Sequence, residues 1–126
     1  MKRVTGIGGI FFKSPDPRRL GAWYRDHLGL DVQDWSGAVF QWGGPGGEPG
    51  MTIWSVFAQD ATKMEPSSAP FMINFRVDDL DALLDALRTE GCHVLDETES
   101  SSFGKFAWVI DPDGNKVELW EPPAGQ

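Results

Sequence analysis

The segment I-F-F-K-S-P-D-P-R-R-L, residues 10–20, has a diverged copy, I-N-F-R-V-D-D-L-D-A-L, at residues 73–83. The offset is 63 residues, which is half of the 126-residue chain. In both copies an aspartate, Asp16 or Asp79, separates a strand-like apolar run from a run with helical spacing. A repeat on this scale indicates two copies of one supersecondary unit.

Each copy contains one helix whose ends can be predicted. Asp16 is a favourable N-cap with proline directly after it, and Gly29 suits the left-handed position that ends a helix. The second helix begins at Asp78 or Asp79 and ends at Gly91. Its leucines follow the i, i+3, i+4, i+7 spacing of a buried helix face, and they are Leu80, Leu83, Leu84 and Leu87.

Alternating apolar residues predict three strands after each helix. They are Leu30–Trp35, Ala38–Trp42 and Met51–Phe57 in the first half, and Cys92–Glu97, Lys105–Ile110 and Lys116–Glu121 in the second. The D-P-D-G-N sequence at 111–115 is a hairpin turn signal, whereas residues 43–50 form a longer glycine-rich connection. Each half therefore reads βαβββ, with modules at 1–62 and 63–126. We expect a single α+β domain whose curved mixed sheet forms a cup, with both helices on its outer face.

Charge and composition narrow the class of partner. The net charge is −8 and the pI is about 4.5, which disfavours nucleic acid and anionic membranes. No apolar run approaches the ~20 residues that span a membrane. Cys92 is the single cysteine, so a disulfide framework is excluded and a cytoplasmic protein is expected. Six Trp and eight Phe are more than a core of this size requires, so we expect some of them to line a pocket.

The segment from Asp16 through W-Y-R-D-H-L-G-L to Leu30, the D-P-D-G-N turn and the two βαβββ modules together resemble the vicinal oxygen chelate superfamily. That group includes glyoxalase I, bleomycin-resistance proteins, fosfomycin-resistance enzymes and extradiol dioxygenases. The resemblance covers nearly the whole chain. It implies that the first and fourth strands of each module lie side by side at the centre of the cup and that any metal ligands come from those strands. It also implies that the protein is a homodimer.

The resemblance also assigns the family's metal positions. They fall on Gly9, Thr52, Met72 and Glu118. Glu118 is the only typical ligand among them, and a divalent ion needs three or four nitrogen or oxygen donors. His27 and His93 are placed too far from Glu118 by the family's strand order to replace the missing ligands. We therefore expect no cofactor and no protein-bound metal, with a divalent metal as the less favoured alternative.

Alternation along the strands assigns the side chains of the cup. Val117 and Leu119 should meet the helices, which turns Glu118 towards the cup. The residues predicted to contact a ligand are Phe11, Trp54, Met72, Asn74, Arg76, Phe106, Trp108 and Trp120. Apolar walls with few polar groups are typical of small-molecule sites. Two other interpretations stay open, in which the rings fill the cup or a dimer contact and Arg76 forms an ion pair with Glu118.

Two functions follow from these expectations. The first is binding of a small cationic or aromatic molecule without a protein-bound metal, as the resemblance to bleomycin-resistance proteins implies. The second is a glyoxalase- or dioxygenase-type enzyme, a lyase, isomerase or oxygenase. Glu118 would then be a general base whose pKa is raised by the apolar cup, or a residual metal ligand. The sequence leaves open whether the protein is an enzyme.

Overall fold

A computed structural model describes residues 3–43 and 49–124. The described chain forms seven strands and two helices in the order β1 (Val4–Ser14), α1 (Pro17–Leu28), β2 (Gly37–Gln41), β3 (Met51–Ala58), β4 (Phe71–Val77), α2 (Leu80–Thr89), β5 (His93–Ser101), β6 (Gly104–Ile110) and β7 (Lys116–Glu121). This is the predicted α+β class. Residues 44–48 of the glycine-rich connection lie outside the described residues. Neither helix is long and apolar enough to cross a membrane.

All seven strands belong to one mixed sheet in the order β2-β3-β1-β4-β7-β6-β5. The first strand of each half pairs in parallel with that half's last strand, β1 with β3 and β4 with β7. The antiparallel pairing of β1 with β4 joins the two halves into a continuous sheet. The expected neighbours at the centre of the cup are therefore confirmed.

The prediction of a strand at Leu30–Trp35 is wrong. The backbone there turns on itself, with the N–H of Gln33 donating to the carbonyl of Gly37 at 2.8 Å. Val32 instead lies close to Gly21 of α1, where a Cβ on the glycine would come within 3.2 Å of the valine Cγ1. The described first half is thus βαββ. The segment is not a strand because its backbone forms a turn and its Val32 side chain packs against α1.

The predicted helix ends are confirmed. The Asp16 carboxylate accepts from the Arg19 N–H at 3.2 Å, and Asp79 accepts from the Ala82 N–H at 3.1 Å. Gly29 follows α1 with a φ of 73° in the left-handed region. These caps satisfy backbone donors and acceptors that a helix end otherwise leaves unpaired.

The outer layer of the core forms where α2 packs on the second half of the sheet. Leu80, Leu83 and Leu84 of α2 are buried together with Val77 of β4 and Leu119 of β7. Leu119 and the partly buried Val117 next to this cluster thus face the helix as predicted. The side chains between them on β7 must face the cup.

Candidate ligand-binding site

The floor of the cup is built on glycines of β1. Gly8 and Gly9 lie at a register shift in the pairing of β1 with β4, and aromatic rings occupy the space where their Cβ atoms would be. The Trp120 ring covers Gly8, and the Phe11 Cζ lies 2.6 Å from the Cβ position of Gly9. Because Gly8 and Gly9 have no side chains, large rings pack directly against the backbone of β1 at these two positions.

A cavity of about 580 Å³ opens above this floor. Its lining comes from both halves of the chain and is mostly apolar: Gly8, Phe11, Trp35, Val39, Met51, Ile53, Asn74, Phe103, Phe106, Glu118 and Trp120. The size lies in the range of sites for small organic ligands, roughly 300–1,000 Å³. The few polar groups of such a cavity fix the orientation of a bound molecule.

Glu118 is held at the floor by two neutral donors. Its Oε1 accepts from Asn74 Nδ2 at 2.6 Å, and its Oε2 accepts from Trp108 Nε1 at 2.9 Å. The residue is 4% exposed, and burial raises the pKa of its carboxyl group because the charged form is desolvated. The hydrogen bonds from Asn74 and Trp108 act in the opposite direction and favour the carboxylate.

Two lysines lie over the indole ring of Trp108, which is the neighbour of Glu118. The Nζ atoms of Lys63 and Lys116 each lie 5.2 Å from the centroid of this ring. Lys116 Nζ donates to the Lys63 carbonyl at 2.7 Å, and Lys63 pairs with Glu99 at 3.4 Å. Burial lowers the pKa of Lys116, since its ammonium is partly desolvated.

Several predicted residues line the cavity, and others are buried beside it on the same face of the sheet. The side chains of Phe11, Asn74, Phe106, Glu118 and Trp120 line the cavity. Trp108 and Met72, at 1% and 0% exposure, pack instead into a cluster with Met64 of the connection between β3 and β4. They face the cup as predicted, but they are packed against Phe11 rather than exposed to the cavity. The ligand-binding roles of all these residues stay predictions.

Trp54 does not face the cavity. Its ring packs against Tyr24 of α1, with centroids 4.7 Å apart, and against Phe12 at 5.5 Å. Met51 and Ile53, which alternate with it, line the cavity instead. The expected face is wrong because matching M-T-I-W at 51–54 to V-E-L-W at 117–120 shifts β3 by an odd number of residues, which reverses the faces of its side chains.

Arg76 is not the partner of Glu118. Its guanidinium lies over the ring of Trp42, 5.1 Å from the centroid, while Asn74 and Trp108 hold the carboxylate. The ion pair of Arg76 with Glu118, which the sequence left open, is therefore not the arrangement at the floor. The floor carries a carboxylate stabilised by neutral donors rather than by a neighbouring guanidinium.

The sequence did not identify two aromatic residues at the cavity's rim. Trp35 and Phe103 are 49% and 73% exposed and come from opposite halves of the chain. The Phe103 carbonyl accepts from Trp120 Nε1 at 2.8 Å, which ties the β5–β6 turn to the cavity wall. A lone phenylalanine in the polar stretch E-S-S-S-F-G-K was the available signal for Phe103.

The side chains at the family's metal positions do not fit a metal ion. Gly9 is covered by the Phe11 ring, and Met72 is fully buried in the cluster with Phe11, Met64 and Trp108. The Thr52 hydroxyl donates to the Ile7 carbonyl at 2.6 Å. Within the described residues, no group of three or more His, Cys, Asp or Glu could hold a metal.

The ladder also corrects the fourth of these positions. Glu118 lies opposite Asn74, and at the 63-residue offset Phe11 lies opposite Ser55. Ser55 is therefore the counterpart of Glu118, in place of Thr52. The correction leaves the donor set short of ligands, since a serine hydroxyl is a weak ligand for a borderline metal.

Comparison with known proteins agrees with the fold. Residues 9–120 match the family described as glyoxalase-like domain. Methylmalonyl-CoA epimerase from Streptomyces coelicolor, in complex with 2-nitronate-propionyl-CoA, superposes with a TM-score of 0.70 at 19% identity, over 96% of this chain and 99% of that chain. The Mycobacterium tuberculosis epimerase gives 0.66 at 19% identity, over 95% and 89% of the two chains.

A third similar structure is a glyoxalase/bleomycin resistance protein/dioxygenase superfamily member from Vibrio splendidus. It gives a TM-score of 0.61 at 15% identity, over 91% of this chain and 97% of that chain. No curated relative matches the sequence. At these identities the structural likeness establishes the fold and leaves the chemistry to the residues of the cup.

Proposed function

The chain belongs to the glyoxalase-like domain family, and on that premise we propose that its cup binds a small, flat and largely apolar molecule, aromatic or cationic, without a protein-bound metal. One observation carries the proposal. The cavity of about 580 Å³ is walled by aromatic rings from both halves of the chain and has Glu118 and Asn74 as its polar floor.

The walls favour a planar guest. Phe106 and Trp120 are stacked with an interplanar angle of 10° and a centroid separation of 6.1 Å. Trp35 and Phe103 at the rim offer exposed rings that a bound molecule would cover. Aromatic surfaces attract both other rings and cations, and burying this area stabilises the complex.

Glu118 gives the cavity a polar anchor. It is the only charged residue among the described side chains that line the cavity. Because burial opposes its ionised form, a cationic guest would replace part of the lost hydration and stabilise the carboxylate. The family's metal positions offer no comparable donor set, so the carboxylate is available to a ligand.

Tryptophan fluorescence tests the proposal with planar aromatic amines and amidines as probes. Trp120→Phe removes an indole from the cavity, whereas Trp23→Phe removes a half-exposed indole from α1 and serves as the matched control. We expect ligand-induced emission changes to shrink in Trp120→Phe and to persist in Trp23→Phe. An unchanged response in Trp120→Phe would show that the probes bind elsewhere.

The second candidate function is proton transfer with Glu118 as general base. The observation that favours it is a buried carboxylate with a raised pKa at the floor of a cavity. Each carboxylate oxygen retains an unused lone pair after accepting from Asn74 or Trp108. Glu118→Gln should abolish turnover of a substrate found by screening while aromatic probes still bind. Normal turnover in that variant would eliminate Glu118 as the base.

We also propose that the protein is a cytoplasmic homodimer. Ile10 of β1 and Phe71 of β4 are each 41% exposed on the face opposite the cup, where they offer apolar surface to a second copy. Light scattering at micromolar concentration would give twice the 13.9 kDa chain mass. A mass of one chain, unchanged in Ile10→Lys, would contradict the dimer.

A further inference from the structure

We infer that the floor of the cup selects its ligand by hydrogen-bond donors, so that it accepts a planar aromatic amidinium and rejects the equivalent carboxylate. The inference rests on the proposed aromatic binding site. It adds the chemical class of the ligand's polar group that contacts Glu118. It follows from how the donors and acceptors around Glu118 are used.

Each nitrogen donor next to Glu118 already has a hydrogen bond to an acceptor of the protein. Asn74 Nδ2 and Trp108 Nε1 both donate to Glu118, one to each carboxylate oxygen. The indole N–H of Trp120 donates to the Phe103 carbonyl at 2.8 Å. An incoming group therefore meets the remaining lone pairs of Glu118, which can only accept while the group is ionised.

A second acceptor lies beside the first. Because an ionised Glu118 can only accept, the Asn74 amide must turn its NH₂ towards it, which points Oδ1 the other way. Asn74 is 2% exposed, and its Oδ1 has no hydrogen-bond partner within the part of the chain that the structure describes. That oxygen lies next to Gly8, which also lines the cavity. Its partial negative charge adds to that of the carboxylate.

The two lysines near Glu118 do not line the cavity. Lys63 and Lys116 face the ring of Trp108, which is buried beside the cavity on the same face of the sheet. Lys63 is also paired with Glu99. The positive charge of Lys63 favours the carboxylate, while Glu118 itself lines the cavity.

The geometry of a carboxylate determines which donors fit best. Two parallel N–H groups on one planar cation match the two oxygens, as in guanidinium–carboxylate pairs. An amidinium attached to an aromatic ring combines this pair of donors with a flat body for the walls of Phe106 and Trp120. A carboxylate in the same place would face two acceptors, the ionised Glu118 and Asn74 Oδ1, with neither of which it can form a hydrogen bond.

Isothermal titration with naphthamidine, naphthamide and naphthoate tests the inference, since the three probes share one ring system and differ in the polar group. Near neutral pH we expect naphthamidine to bind about tenfold or more tighter than naphthamide, and naphthoate to bind weakest. Glu118→Gln should reduce the advantage of naphthamidine over naphthamide to within about twofold. Asp85→Asn, which removes the same charge from the exposed side of α2, should leave it unchanged.

The wild-type protein gives a second arm that needs no variant. Acidification that protonates Glu118 turns an acceptor into a donor, so naphthamidine should lose its advantage at low pH. Equal binding of the three probes would refute donor selection while leaving the aromatic site intact. Failure of all three to bind at millimolar concentration would refute the proposed binding site itself.

Discussion

At the scale of single residues, the environment of Glu118 combines opposing effects. Burial disfavours its charge, while Asn74, Trp108 and the nearby ammonium of Lys63 favour it. Burial is the largest of these effects, so the folded protein holds the proton more tightly than the unfolded chain does. A bound ligand therefore shifts the protonation of this buried carboxyl group, whose pKa is raised, more than that of an exposed carboxyl group.

The stability of the protein should therefore depend on the ionisation of Glu118. Below its ordinary pKa of 4.5 the group is protonated in both states and brings no penalty. As the pH rises from 4.5 through the raised folded pKa, the unfolded chain ionises first and the native state loses stability. Each unit of pKa shift corresponds to about 1.4 kcal/mol.

Urea unfolding at pH values across this window measures the effect. Relative to wild type, Glu118→Gln should gain unfolding free energy as the pH rises, because it lacks the penalty. Ionisation of the other carboxylates cancels in the difference between the two proteins. A difference that does not change with pH would show that Glu118 has the same pKa in both states.

The glycines of β1 allow a second prediction at this scale. A methyl group on Gly9 would meet the Phe11 Cζ at 2.6 Å and the Ile53 carbonyl at 3.2 Å. Gly9→Ala should therefore lower the unfolding free energy by about 1–3 kcal/mol, as overpacking of a filled core does. Gly21→Ala in α1, whose nearest contact is a valine methyl at 3.2 Å, is the control and should be close to neutral. Equal effects in chemical denaturation would contradict this account of the floor.

At the scale of elements, the helices are defined by local interactions that act independently of the cup. Asp79 caps α2 through the Ala82 N–H, and the leucines of α2 cover β4 and β7 from outside. This packing holds the strands that carry Asn74 and Glu118 in register. The cap therefore contributes to the site through the position of the strands, without touching the cavity.

Asp79→Ala should lower the unfolding free energy by about 1 kcal/mol, because it leaves a backbone donor of α2 without its side-chain partner. Asp85→Ala, in the exposed middle of the same helix, removes an equal charge and should have little effect. Urea unfolding monitored by circular dichroism compares the two. Equal losses would indicate that charge rather than capping is responsible.

At the scale of the whole molecule, the cup is a product of both halves. Phe11 comes from β1, Trp35 from the loop before β2, and Phe103 and Phe106 from the β5–β6 hairpin. The β1–β4 pairing holds these elements around one cavity. In place of a set of metal ligands, the sheet presents glycine, a buried methionine and one carboxylate at its centre.

The donor set predicts that divalent metals should not stabilise the protein. Addition of zinc, nickel or manganese to the purified protein, or its dialysis against a chelator, should shift the midpoint of thermal unfolding by less than about 1 °C. The same midpoint should respond to a planar aromatic cation. Stoichiometric metal in protein purified without chelator, lost in Glu118→Ala, would overturn this interpretation of the cup.

Much of the architecture follows from local patterns in the sequence. The 63-residue repeat, the aspartate caps, Gly29 and the D-P-D-G-N turn predict both helices, and runs of apolar residues predict the seven strands of the described chain. The turn forms as expected, with the Asp111 carboxylate accepting from the backbone of Asp113 and Asn115 and with Gly114 at a φ of 85°. The caps, the turn and the apolar spacing each depend on residues close together in the sequence, so they can be read without knowledge of the tertiary structure.

The sequence by itself determined the repeat, the helices, the order of elements and the placement of Glu118 on the inner face of β7. Only the tertiary structure decided that Trp54 packs on α1, that Trp108 is buried against Met64 beside the cavity, and that Asn74 rather than Arg76 holds the carboxylate. The reason is physical. The face of a strand reverses with a single-residue change of register, and the partners of a buried charge are set by strands that pair across the full length of the chain.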